Sequence, residues 1–194
     1  MMAQFIDSVI DFISRELQPK YHDWKIFDNT HLTPKICSMI LSGGQTGADQ
    51  GALDAALELK LPCGGWCPKG RRSEGKPIPA KYPVLVHSSS CYLSRTETCV
   101  KESDGALVFT YGEPTGGTKL TIDLFQKHKK PVFIIDLRSD PVHEISAKVF
   151  HWGLENKIQA LNVAGPKERK HPGTQEKVKT IVLEILKLTK NFNQ

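Results

Sequence analysis

The sequence predicts an α/β protein: a doubly wound, mainly parallel sheet with helices on both faces, preceded by an N-terminal helical extension. Three observations carry that expectation. Short apolar runs alternate with longer stretches whose apolar residues recur at helical spacing. Strands that alternate with helices close right-handed βαβ units and therefore pair in parallel. Several runs also end in glycine-bearing turns that open the next helix, and at that edge such sheets hold their ligands.

Taken in order, Phe5, Ile6, Val9, Ile10, Ile13 and Leu17 form a helical stripe suited to packing on the domain or on a second subunit. The polar, aperiodic stretch from Pro19 to Pro34 reads as a connection, which sets an extension over 1–34 and a ligand-binding domain over 35–190. Ile36–Leu41 is a strand, Ser42–Gly47 a tight turn, and Ala48–Lys60 a helix. Thr46-Gly47-Ala48-Asp49 fits the start of a capping box, with Asp in place of the usual Glu or Gln. Leu61–Arg72 is dense in Gly, Pro and basic residues and reads as loop. Val84–Val86 is a short strand, and Ser94-Arg95-Thr96-Glu97 is a full capping box opening a helix to about Glu102.

Ala106–Thr110 reads as a buried strand, central in the sheet, followed by a loop to Gly117 and a helix from Thr118 to His128. Pro131–Ile135 is the next strand. Asp140-Pro141 then caps a helix that lines up Val142, Ile145, Val149 and Trp152. Ala160–Ala164 is the last strand and ends in Gly165-Pro166. The final helix starts at Thr174, with Val178, Ile181, Val182, Ile185 and Leu186 on one face.

Whole-chain properties exclude several classes of function. The 194 residues suit one α/β domain, and 39% hydrophobic with 24% charged residues is ordinary for a globular protein. A net charge of +5 mildly favours anionic ligands, but it is too scattered for a nucleic-acid face. No run approaches the ~20 apolar residues of a membrane span, and the acidic start at Asp7 and Asp11 is unlike a signal peptide. Five cysteines point to reduced thiols and a cytoplasmic location.

Chemistry concentrates in the turns. Glycines let the Ser42–Gly47 backbone approach a ligand, and the following helix N-terminus attracts an anion. Gly43, Gly44, Gln45, Thr46, Gly47 and Asp49 thus form a candidate phosphate loop; a plain strand-to-helix turn is the alternative. A Walker A loop is excluded because no Gly-Lys-Ser/Thr follows, and the spacing is not G-x-G-x-x-G. The Walker-like run Gly70–Lys76 fails as well, since Pro77 takes the Ser/Thr position and no strand leads into it. Gly116, Gly117 and Thr118 follow a second strand, and Asn162 with Gly165 a third. Lys69, Arg71, Arg72, Lys76 and Arg95 are candidate anion clamps, and Trp66 a stacking surface. Cys63 and Cys67 lack a second pair, so no metal site is expected. Arg95, Glu97 and Asp49 are the acid–base candidates, and the capping box explains Glu97 well enough without a catalytic role.

The runs Ser42–Asp49, Gly64–Arg71, Pro77–Pro79, Arg95–Glu97, Thr115–Thr118 and Leu161–Pro166 together resemble the molybdenum-cofactor carrier family, over about Lys35 to Leu188. That family belongs to a Rossmann-like superfamily shared with the lysine-decarboxylase-like phosphoribohydrolases. The resemblance implies a Rossmann-like fold and a cytoplasmic homo-oligomer, dimer or tetramer. It also implies a pocket for molybdenum cofactor or a nucleotide, with molybdoenzymes or cofactor-synthesis proteins as partners. The phosphoribohydrolases carry P-G-G-x-G-T-x-x-E with a catalytic Glu; here Thr121 stands where the Glu would fall. A binder is therefore favoured, with a nucleotide-processing hydrolase or a nucleotide-sensing module as alternatives.

Overall fold

The computed structural model describes residues 37–74, 76–89, 91–138 and 142–192. The N-terminal helix expected over 1–20, the connection to Pro34 and the Asp140-Pro141 cap lie outside the described residues. Among the described residues seven strands and five helices follow one another. They are β1 (Met39–Leu41), α1 (Ala48–Glu58), β2 (Cys63–Gly64), β3 (Trp66–Cys67), β4 (Leu85–Val86), α2 (Tyr92–Glu102), β5 (Gly105–Thr110), α3 (Gly116–Lys127), β6 (Val132–Asp136), α4 (Val142–Glu155), β7 (Ala160–Ala164) and α5 (Thr174–Phe192).

The main sheet has the order β2-β1-β7-β5-β6, and every pairing in it is parallel. β7, the last strand of the chain, is central in space. It pairs Leu161 with Ile40 of β1 and Val163 with Leu107 of β5. The expectation that β5 is the central strand is thereby corrected: β5 lies one place further out, between β7 and β6. With the β7–α5 unit moved to the front, the order is that of a doubly wound sheet that starts at its centre and winds outward both ways. The chain is a circular permutation of that plan.

All six residues of β5 are buried. Its side chains alternate between the two layers of helices. Ala106 and Val108 meet Val100 of α2 and Ile122, Leu124 and Phe125 of α3. On the other layer α1 and α4 both pack on α5. The α5 stripe is buried as its spacing demands, with Val178, Ile181, Val182, Ile185 and Leu186 all at 1% exposure or less. At ~25 cal/mol per Å2 of apolar surface, that stripe is a principal contribution to the core.

Two local expectations are corrected. The 61–72 loop contains the two-residue strands β2 and β3, and β3 pairs with β4 in a separate small parallel sheet. Strands that short carry no readable period. Helix α2 begins at Tyr92, so Ser94 lies inside it and caps nothing. The hydroxyls of Thr96 and Thr98 donate back to the Tyr92 and Ser94 carbonyls, four residues earlier, as they do within helices.

Candidate functional site

A cleft of about 550 Å3 opens where the turns after β1, β5 and β7 meet. This is the carboxyl edge of the sheet, on the central strand and its neighbours, where the winding direction reverses. Gly43, Gln45 and Asp49 line it from the first turn. Thr110, Tyr111 and Thr115–Thr118 come from the second, and Asn162–Lys167 with Lys170 and His171 from the third. Arg95, Thr96 and Cys99 add one face of α2, because residues three and four apart project together. Of the residues singled out in the sequence, Gly43, Gln45, Asp49, Arg95, Gly116, Gly117, Thr118, Thr121, Asn162 and Gly165 meet in this cleft.

The others are used elsewhere. Arg71 donates to the carbonyls of Ile78, Pro79, Tyr82 and Val84 at 2.9–3.1 Å, tying together the loop that precedes β4. Trp66 donates from Nε1 to Glu102 at 2.7 Å and meets His87 edge-on. Lys69, Arg72 and Lys76 are exposed and lie outside the lining. Glu97 also points away from the cleft, pairing with His128 at 3.1 Å and Lys127 at 3.5 Å between α2 and α3. The His128 hydrogen bond and the neighbouring lysines hold its carboxyl below the usual range. That geometry fits a bridge between helices and leaves Glu97 without access to a ligand in the cleft.

The two glycine turns that reach the cleft are built differently. At the first, the capping-box expectation is corrected: the N-cap of α1 is Gly47, and Thr46 donates from Oγ1 to Glu74 at 2.8 Å. Asp49 instead reaches back, its Oδ2 accepting the Gln45 N–H at 3.1 Å. The Ala48 N–H is taken by the Pro166 carbonyl at 3.1 Å. The anion held by this turn is therefore the protein's own carboxylate. Gly47 has φ +85, and a Cβ there would overlap the Pro166 carbonyl. Gly44, Thr46 and Gly47 do not line the cleft; they pack the turn against its neighbours.

At the second turn the glycines face open space. A Cβ built at Gly116 or Gly117 would meet nothing within 4 Å. The Thr115 side chain does not cap α3; it accepts a hydrogen bond from Lys170 Nζ at 3.2 Å. The first-turn N–H groups of α3, the positive end of its dipole and Lys170 thus converge at one end of the cleft.

The deep end holds a different group. Asp49, Gln45 and Arg95 are 7%, 5% and 9% exposed. Both Asp49 Oδ2 (2.8 Å) and the Arg95 guanidinium approach the point where a Gly43 Cβ would stand, so only glycine allows them to be neighbours. Burial pushes the Asp49 carboxyl up to about 6, against the lowering effect of Arg95 and of the Gln45 N–H. Arg95 Nε and Gln45 Oε1 are buried without a hydrogen-bond partner. Near the rim, Tyr111 stacks on His171 with centroids 4.2 Å apart and 22° between the rings.

The sequence reading missed Glu74, Cys99, Tyr111, Lys167, Lys170 and His171. Two signals were available: the Arg95-x-x-x-Cys99 spacing on α2, and the basic run directly after Gly165-Pro166. Among the described residues there is no group of three or more His, Cys, Asp or Glu able to hold a metal ion. No helix among them is long and apolar enough to cross a membrane.

Residues 40–186 match the circularly permutated YpsA SLOG family, and the permuted strand order fits that description. The chain belongs to this family. It is also similar, at 38% identity and a TM-score of 0.74, to a crystal structure from Syntrophus aciditrophicus named "Putative molybdenum carrier protein". That likeness covers 78% of this chain and 95% of the other. No curated protein matches the chain significantly. Within the SLOG family frame, the cleft is built by the three strand-to-helix turns that the permutation leaves together at the sheet edge.

Proposed function

We propose that this protein is a binder of a small phosphorylated ring ligand, with molybdenum cofactor as the specific candidate and the carrier role of its structural neighbour as its own. The observation that supports this most directly is the open N-terminus of α3, where a Cβ at Gly116 or Gly117 would meet nothing within 4 Å and Lys170 bonds the preceding Thr115. The phosphate sits there, and Arg95, Asp49, Gln45 and Asn162 face the ring. Among the described residues no group of three or more His, Cys, Asp or Glu could hold the metal, so these residues would hold the cofactor by its phosphate and ring. Transfer to molybdoenzymes or from cofactor-synthesis proteins, and assembly as a dimer or tetramer, are parts of the same proposal.

Thermal-shift titration and native mass spectrometry with molybdenum cofactor and a nucleotide panel test it. A ligand at 100 times its Kd stabilises the fold by ~2.7 kcal/mol. Gly117→Asp, which has room for its side chain, is expected to abolish that shift by placing a carboxylate where the phosphate goes. A full shift in the variant overturns the assignment.

Asp49 supports a second reading, a nucleotide-processing hydrolase. A cleft carboxyl held at about 6 is poised to exchange protons near neutral pH. Thr121, at the position of the relatives' Glu, lines the cleft but donates to the Gly117 carbonyl at 3.0 Å. Turnover of any panel member that Asp49→Asn abolishes would move the protein into that class.

A further inference from the structure

The two ends of the cleft differ in charge. The α3 end carries a helix N-terminus and Lys170, with the exposed Glu113 further back in the same turn. At the deep end opposite charges are matched: Asp49 faces Arg95, and Lys167, which also acts on Asp49, pairs with Glu74 at 3.8 Å. An anion gains little there. What the deep end lacks is hydrogen-bond partners: Arg95 Nε is an unmatched donor and Gln45 Oε1 an unmatched acceptor, in side chains at least nine-tenths buried. Buried polar groups without partners are costly, about 1–3 kcal/mol each, so whatever enters is selected by its ability to satisfy them.

The Gln45 amide is oriented by its Nε2, which donates to the Arg72 carbonyl at 3.0 Å and leaves Oε1 as the acceptor. Asp49, ionised near neutral pH, offers only acceptor oxygens. The deep end therefore presents acceptors from two side chains and donors from one. A complementary edge carries two N–H donors next to one carbonyl acceptor.

We propose that Asp49, Gln45 and Arg95 form a ring-edge subsite specific for the 2-amino-4-oxopyrimidine edge shared by guanine and pterin rings, in place of a second phosphate site. This rests on the ligand-binding reading above and sets the direction of the ligand: ring edge inward, phosphate outward to α3. Adenine offers one donor group beside one ring-nitrogen acceptor, so it leaves an acceptor of the protein unsatisfied. Hypoxanthine keeps the lactam N–H and carbonyl but lacks the amino group.

Calorimetric titration of the full chain with GMP, IMP, AMP, a pterin monophosphate and ribose 5-phosphate tests the subsite. GMP and the pterin phosphate are expected to bind at least about tenfold tighter than AMP, with IMP between them. Asp49→Asn, which replaces an acceptor oxygen by a donor, is expected to remove the preference. If that variant fails to fold, the wild-type GMP to AMP ratio decides alone. Equal affinity for GMP and AMP overturns the subsite while leaving the phosphate cleft standing. Failure of every ring phosphate and of ribose 5-phosphate overturns both. A pterin phosphate that binds while GMP does not keeps the edge reading and narrows the source to pterins; the reverse narrows it to nucleotides.

Discussion

The turns Ser42–Gly47 and Thr115–Thr118 look alike in sequence: each follows an apolar strand, carries paired glycines and opens a helix. In the fold they do opposite things. The first is closed, its Gln45 and Ala48 N–H groups given to Asp49 and Pro166, Gly47 pressed against the Pro166–Glu168 backbone and Gly43 and Gly44 against side chains. The second is open, its glycines facing space beside Lys170. A glycine in a strand-to-helix turn thus marks close approach of something, and only tertiary structure tells whether that is the protein itself or a ligand. The permutation sharpens the contrast. Pro166, which closes the first turn, comes from the turn after β7, the strand that lies beside β1 in the sheet.

If the first turn is closed by packing, filling it should cost stability. Gly47→Ala combines a positive φ with overlap on the Pro166 carbonyl, and a loss of about 4 kcal/mol is expected from denaturant midpoints. A neutral Gly47→Ala would mean the turn is loosely packed, and the contrast between the two turns would break.

A smaller effect follows from the self-supplied carboxylate. Asp49 in the fold is raised from 3.8 to about 6. The native state therefore holds this proton more tightly than the unfolded chain does. Stability falls as pH rises from about 4 through about 6 and levels off above, by up to about 3 kcal/mol. Denaturant midpoints against pH should show that slope in the wild type, and Asp49→Asn should flatten it. At the open turn the change is smallest and opposite in sign. Gly117→Asp adds a carboxylate to the first turn of α3, worth about +0.5 kcal/mol through the helix dipole. Its stability should stay level or rise while ligand binding is lost.

Local patterns were legible where they extended over enough residues. The apolar run of β7 gives its bounds, Ala160–Ala164, and the i, i+3, i+4 register of α5 gives its buried face. The central place of β7 was not legible, because strand order is a long-range property that chain order does not encode. The Ser94–Glu97 match misplaced the start of α2 by two residues or more, since a four-residue capping pattern also occurs inside helices. At the site, Arg95 and Asp49 were visible as charged residues near glycine turns. Their adjacency across Gly43 depends on the fold. Arg71 and Arg95 were indistinguishable in sequence, yet one is bound to four carbonyls and the other keeps an unpartnered Nε at the cleft. Lys167, Lys170 and His171 lay just past the end of the glycine loop that drew notice, on the turn that the permuted topology brings over the cleft.

The most direct test is an amide-resolved NMR titration with the phosphorylated ligand that the thermal-shift panel selects. The backbone N–H signals of Gly116, Gly117 and Thr118 are expected to move, while those of Gly44 and Gly47 stay in place. Movement of the Gly44 and Gly47 signals, with Gly116–Thr118 unchanged, would contradict the account and return the phosphate to the first turn.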